Sequence, residues 1–374
     1  MTRPPRRAER AGPVLVAGGG TAGHVLPGLA VAQALVRAGV PRDAVRIVGA
    51  THGMEADLVP PSGFPLTLFD LRNFPRKITP GHLVAAAKLT VALVRAWFLI
   101  RRLRPRAVLS VGGYASVPTV LAAWVRRVPV VALSYDAVPG LASRLAARLA
   151  MATAVAFPDS GLPRPRVTGA PLRDAIAACE PARDRAVART ALGLPADRLV
   201  VGVVGGSLGS LALVEAAAAL VERWAGRADV AVRLVTGARY EGVAPTPRSD
   251  PGGILLQVVP FEAHMEHLYA AVDVLVARAG ATTVAEVAAL GVPTVLVPWP
   301  LAAEDHQTAN ARWLAEAGGA LVLTDADLGE RLEPTLAALL GSPGDRTRLA
   351  AAARTVGRRN AADAVAELVL EVSS

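Results

Sequence analysis

Residues 14–35 read VLVAGGGTAGHVLPGLAVAQAL. An unbroken aliphatic run, Val14–Ala17, gives way to Gly18, Gly19 and Gly20, and apolar residues recur at helical spacing from Leu26 to Arg37. A short run without polar alternation is the pattern of a strand buried on both faces, as in parallel sheets. The glycine turn after it lets backbone approach a ligand closely, and the helix start beyond it favours an anion. Gly18-x-Gly20-x-x-Gly23 also fits the dinucleotide fingerprint, which needs an acid at the end of the second strand for the ribose. RIVGATHG (46–53) offers none there and Glu55 comes later, so nicotinamide and flavin are not expected.

The same unit recurs along the chain. Strand-like runs lie at 44–50, 107–116, 128–136, 152–157 and 165–173, with helical stretches between most of them. The pattern loosens near 175–195 and restarts with LVVGVVGGSLGS (199–210), followed by runs at 230–238, 254–261, 272–280 and 293–300. Strand–helix alternation predicts parallel sheets covered on both faces. The 374 residues exceed the roughly 250–300 that one core accommodates. The expectation is an α/β chain of two Rossmann-like parallel-sheet domains facing across a cleft. The first spans 12–175 and the second 176–374, with the last helix packing back on the first. Ligands belong at the carboxyl ends of the strands.

Composition narrows the function. Hydrophobic residues make up 52% and aromatic residues 4%, so the cores are aliphatic. Cys179, the one cysteine, excludes an internal disulfide and a cysteine metal cluster. The net charge of +9, carried almost wholly by arginine, fits either a GC-rich genome that favours arginine codons or anionic partners such as phosphates or membrane headgroups. No basic stretch is interleaved with aromatics, so nucleic acid is not an expected partner. The basic start, MTRPPRRAERAG, lacks the apolar region of a secretory signal, and a cytosolic protein is expected.

The polar residues concentrate at strand ends. A neutral imidazole at His24, beside the first glycine loop, can take a proton from a hydroxyl. Gly112 and Gly113 mark a second such strand end. A third, Gly205-Gly206-Ser207-Leu208-Gly209, lacks the P-loop lysine but can hold a diphosphate. Thr282 and Thr283 open a helix that carries Glu286, and Gln307 and Asn310 share a face of the next. Such carboxylate and amide groups suit ribose and sugar hydroxyls. Asp325-x-Asp327 has a spacing used for metal-bound nucleotide sugars, but it precedes a helix and reads better as an N-cap. No metal or other cofactor is expected.

Seven segments in order, GGGTAGHVLPGLA, GMEADLVP, VGGYASVP, VTGAPLR, GGSLGS, RAGATTVAE and EDHQTANA, resemble the MurG family of N-acetylglucosaminyltransferases. The resemblance runs from about residue 13 to 365. It implies a GT-B fold and inverting, metal-independent transfer of N-acetylglucosamine from UDP-N-acetylglucosamine, a substrate rather than a cofactor. The acceptor would be lipid I, giving lipid II in peptidoglycan synthesis. Carried over by position, Glu286 would hold the ribose and the backbone around Phe261 the uracil. Arg173, Gly206, Ser207, Thr282 and Thr283 would contact the diphosphate, and Gln307 and Asn310 the donor sugar. Thr21, Ala22, Gly23, His24, Gly112, Gly113 and Tyr114 would face the lipid-linked diphosphate acceptor, with His24 as base.

One segment departs. Where the family usually carries His-Glu-Gln-Asn, this chain has Leu133-Ser134-Tyr135-Asp136. The family's asparagine is expected to touch the donor sugar, and a carboxylate cannot donate as an amide does. The alternative reading is therefore a MurG-like tailoring transferase of natural-product synthesis, with another acceptor or UDP-sugar. Asp136 is the second candidate base.

Residues 72–106 add a membrane expectation. The 18 mostly apolar residues from Leu83 to Ile100 contain Lys88 and Arg95 and fall short of the roughly 20 that a span needs. Basic ends with Phe74, Trp97 and Phe98 suit a helix lying on a membrane. A peripheral protein at the cytoplasmic face of the cell membrane is expected.

Overall fold

A computed structural model describes residues 12–71, 81–206, 208–249 and 252–373. The basic N-terminal tail, Phe74 and Ser207 lie outside the described residues. The chain forms two compact units, Met1–Arg173 with Asn360–Ser374, and Asp174–Arg359.

In the first unit the strands are β1 (Val14–Ala17), β2 (Val45–Ala50), β3 (Leu66–Phe69), β4 (Ala107–Ser110), β5 (Val130–Ser134), β6 (Ala152–Val155) and β7 (Pro165–Val167). They form one sheet in the order β3-β2-β1-β4-β5-β6-β7, with every pairing parallel. The helices are α1 (Ala22–Arg37), α2 (Glu55–Leu58), α3 (Gly81–Leu103), α4 (Val117–Val125) and α5 (Leu141–Leu149). β1 and β4 are buried along their whole length, which is why their sequences show no alternation. On α3, Ala85, Ala92, Ala96 and Ile100 recur on one face and are buried there.

The second unit repeats the plan. Its helices are α6 (Asp174–Ala178), α7 (Pro181–Ala191), α8 (Leu211–Arg223), α9 (Met265–Ala271), α10 (Ala281–Leu290), α11 (His306–Glu316), α12 (Leu328–Gly341) and α13 (Pro343–Val356). Its strands are β8 (Leu199–Val204), β9 (Val230–Val235), β10 (Arg248–Ser249), β11 (Leu255–Val259), β12 (Val274–Ala277), β13 (Thr294–Leu296) and β14 (Leu321–Val322), in the order β10-β11-β9-β8-β12-β13-β14. Only β10, at the edge, runs antiparallel. The buried Asp273 ties the start of this sheet together: its Oδ2 accepts from the Val200 amide at 2.7 Å and from Arg189 at 2.9 Å.

The last helix, α14 (Ala361–Ser373), belongs to the first unit and packs on α1, β4, β5 and β6. Arg37 binds Asp363 there at 2.7 Å.

Each sheet has a switch point, between β1 and β4 in the first and between β8 and β12 in the second, where the chain changes its direction of winding. Loops leaving neighbouring strands at such a point part to opposite faces and open a crevice. The glycine-rich segments after β1, β4 and β8 all stand at these points.

Candidate functional site

In the first unit the loop after β1 is built around a carboxylate. Glu55 is fully buried, and it accepts from the Gly20 amide at 2.8 Å and the Ala50 amide at 2.5 Å. A Cβ on Gly19 would stand 2.3 Å from Oε1 of Glu55, so glycine is required there. The acid missing from the end of β2 in the sequence thus arrives from α2, but it braces the loop from inside. It also redirects the loop's donors. The amides of Gly18, Gly20 and Ala22 go to Val48 O, Glu55 and Met54 Sδ, so the anion contact expected of this loop narrows to its other amides.

α1 starts at Ala22 rather than at Leu26, which puts His24 in its first turn. Thr21 stands at the N-cap, and its Oγ1 lies 3.1 Å from Nδ1 of His24. The loop after β4 closes against the first. A Cβ on Gly113 would meet Gly19 O at 2.4 Å, and one on Gly112 would lie 3.3 Å from Nε2 of His24. Tyr114 packs beside Gly20, and burial, then the Glu55 charge, raises its phenol pKa. Thr21, Ala22, Gly23, His24, Gly112, Gly113 and Tyr114 therefore come together, as the sequence expects.

Tyr135 is the residue that sequence reasoning missed. Its hydroxyl donates to Gly23 O at 2.7 Å and lies 3.3 Å from Val111 O. Burial, with Asp136 adding to it, pushes the phenol well above its ordinary range, so it stays a neutral donor. Asp136 follows it, half-buried, just beyond β5.

In the second unit, Gly205 and Gly206 follow β8. Ser210 caps α8, and its Oγ accepts from Nε and Nη2 of the buried Arg278 at 3.0 and 2.7 Å. Arg278 also ion-pairs with Asp325 and donates to the carbonyls of Val297 and Pro298. One guanidinium thus joins the chain segments that follow β8, β12 and β13. It also accounts for half of the Asp325-x-Asp327 spacing. Asp327 accepts from the Thr324 amide at 2.8 Å, at the start of α12. Among the described residues no group of His, Cys, Asp and Glu is arranged to hold a metal ion.

Thr282 and Thr283 occupy the first turn of α10, and Glu286 the next. Tyr269 on α9 donates to Oε2 of Glu286. Gln307 Oε1 accepts from the Trp299 amide at 2.9 Å, and the buried Asn310 donates to Ala279 O at 3.2 Å. Asn310 therefore braces the loop before α10 with its amide nitrogen. Phe261, 72% exposed, follows β11, and the adjoining Glu262 anchors that loop to Arg233 at 2.7 Å. These residues all follow parallel strands of one sheet. Arg173, half-buried, is the last residue of the first unit's long segment.

Residues 14–155 match the glycosyltransferase family 28 N-terminal domain, and residues 200–368 match the C-terminal domain of that family. The chain is 41% identical to the UDP-N-acetylglucosamine--N-acetylmuramyl-(pentapeptide) pyrophosphoryl-undecaprenol N-acetylglucosamine transferase of Paenarthrobacter aurescens, over all of both chains. It is 37% identical to the Salinibacter ruber protein of the same name, over 98% of each chain. A crystal structure of MurG from Acinetobacter baumannii superposes with a TM-score of 0.73 at 29% identity, covering 96% of this chain and 99% of that one.

Proposed function

The chain belongs to the MurG transferases of glycosyltransferase family 28, and we propose that it moves N-acetylglucosamine from UDP-N-acetylglucosamine to lipid I, forming lipid II in peptidoglycan synthesis. The geometry that carries this reading is the pair of switch points. One presents His24 beside a braced glycine loop, and the other carries Glu286, held by Tyr269, on the helix after β12, the strand next to the one that leads into Gly205 and Gly206.

The acceptor hydroxyl oxygen forms its bond to the anomeric carbon as the bond to UDP breaks on the opposite face, so the configuration inverts. The hydroxyl proton passes to His24. In the tautomer whose Nδ1–H donates to Thr21 Oγ1, Nε2 is the basic atom, on the side toward Gly112. The leaving diphosphate gains negative charge, which fixed donors stabilise best. The N-terminus of α10, the hydroxyls of Thr282 and Thr283, and the Arg173 guanidinium supply them without a divalent metal. Glu286 accepts from the ribose hydroxyls.

The lipid-linked acceptor calls for a docking face, and α3 supports one. Val84, Val91, Val94 and Phe98 are exposed along one side of it, with Arg95, Arg101 and Arg102 also exposed. Trp124 and Val125 of α4, which packs on α3, are exposed too. Among the described residues no helix is long and apolar enough to cross a membrane. An apolar stripe rimmed by arginines binds at the surface of anionic lipid instead. This gives a peripheral enzyme at the cytoplasmic face of the membrane.

The test is incubation of the purified protein with UDP-N-acetylglucosamine and a lipid I analogue. Lipid II formation is expected. Failure with lipid I but turnover of an unrelated acceptor would replace this reading with a tailoring activity.

A further inference from the structure

We infer that Tyr135 is the positioning residue for His24, because it supplies to the first turn of α1 the hydrogen bond that Pro27 removes. The inference rests on the transfer reading only for what His24 does.

In an α-helix the N–H of residue 27 would bond to the carbonyl of residue 23. Proline has no N–H, and its ring pushes that carbonyl outward. Gly23, half-buried, therefore gains from another donor to its carbonyl, since an unpaired carbonyl shielded from water is costly. The donor comes from 112 residues away: the Tyr135 hydroxyl, at 2.7 Å. The contact is local to the chemistry. Gly23 C=O and His24 N–H belong to a single peptide plane, from which the imidazole hangs. The N–H end of that plane is fixed by Thr21 O at 3.0 Å, and the C=O end by Tyr135. The two rings stand 6.0 Å apart and tilted by 56°, so Tyr135 acts on His24 through the backbone. The same hydroxyl lies 3.3 Å from Val111 O, where the second glycine loop begins. It thus keeps the two loops in register. Tyr135 sits inside the Leu133–Asp136 departure, so this sequence change carries a mechanical role.

Three proteins test the inference: wild type, Tyr135→Phe, and Pro27→Ala/Tyr135→Phe. The first variant keeps the ring and deletes only the donor. The second returns an N–H to position 27, so the helix can bond Gly23 O by itself. For Tyr135→Phe, kcat should fall about ten- to a hundredfold through misplacement of the base, with KM for UDP-N-acetylglucosamine unchanged. The double variant should recover most of kcat. The His24 ring resonances in NMR should move in Tyr135→Phe and return in the double variant. Wild-type kcat in Tyr135→Phe, or a double variant no better than the single one, overturns the inference. If Tyr135→Phe does not fold, a folded double variant supports it and an unfolded one overturns it. If the wild type transfers nothing to lipid I, the transfer reading has failed. The His24 resonances then decide alone: unchanged in Tyr135→Phe, they overturn the positioning role.

Discussion

The Tyr269 hydroxyl donates to Oε2 of Glu286 at 2.6 Å, linking α9 to α10. Tyr269 is fully buried, so the carboxylate is oriented from inside the second unit. Glu286→Ala should weaken UDP binding by about 1–3 kcal/mol, the cost of polar contacts left unmade. Tyr269→Phe should cost about 1 kcal/mol, because it removes one bond that orients the carboxylate without removing the carboxylate. Isothermal titration with UDP measures both. Unchanged affinity in a folded Glu286→Ala protein removes this residue from the donor site.

His24→Ala should lower kcat by roughly 10²–10⁴-fold, the usual worth of a positioned base. UDP affinity should hold, because the donor residues other than Arg173 lie in the other unit. Near-normal kcat in the variant refutes the base role and turns attention to Asp136.

Glu55→Gln should destabilise the protein by about 1–3 kcal/mol. The carboxylate accepts from two amides, Gly20 and Ala50, whereas a glutamine turns an NH₂ toward one of them. Gly19, Gly49 and Gly53 wall the group closely, so it has no room to rotate away. Thermal unfolding reads the effect, and an unchanged Tm means the loop does not depend on the negative charge.

Turnover should survive excess chelator. Asp325→Asn should lower Tm by breaking the pair with the buried Arg278, while leaving metal response unchanged. Complete loss of activity in chelator, restored by magnesium or manganese, would make Asp325 and Asp327 a metal site.

Burial, with the Asp184 charge next, pushes the Cys179 thiol up to about 11. Folded protein should therefore react slowly with iodoacetamide at neutral pH, and unfolded protein promptly, as followed by mass spectrometry. The folded thiol holds its proton more tightly than the unfolded one. Its contribution to stability is thus full below the ordinary thiol range and declines as pH rises toward about 11. Equal labelling rates in the folded and unfolded protein contradict this.

Most of the sheet order's raw material was legible, because β1, β4, β8 and β12 are buried on both faces and read as unbroken aliphatic runs. β3, β10 and β14 leave no such signal in the sequence. β10 and β14 have two residues each and lie at sheet edges, and β3 is only half-buried at one, so burial imposes little pattern on them. The sequence starts α1 late because Pro27 reads as a first-turn residue, whereas in the structure it lies inside the helix. What makes that tolerable is a bond from Tyr135, and no local window contains both ends. The role of Glu55 is hidden for the same reason: its position is wrong for a ribose ligand, and its partner Gly20 lies 35 residues upstream. The clustering of His24 with Gly112 and Gly113 was legible, because both segments follow adjacent strands of one sheet.

The placement of α14 sets an order of synthesis. Residues 174–359 form a complete unit within the chain, while the first unit needs Asn360–Ser374 to finish. Ala361, Val365 and Val369 are fully buried in that last helix, which covers β4, β5 and β6. On the ribosome the later-made unit can close its core first, and the earlier-made one must wait with part of its sheet uncovered. A nascent chain stopped at Arg359 should be cut by protease within the first 173 residues while the second unit resists. The glycine loops of the first sheet, and His24 with them, would then reach their final rigidity only after residues 360–374 have emerged.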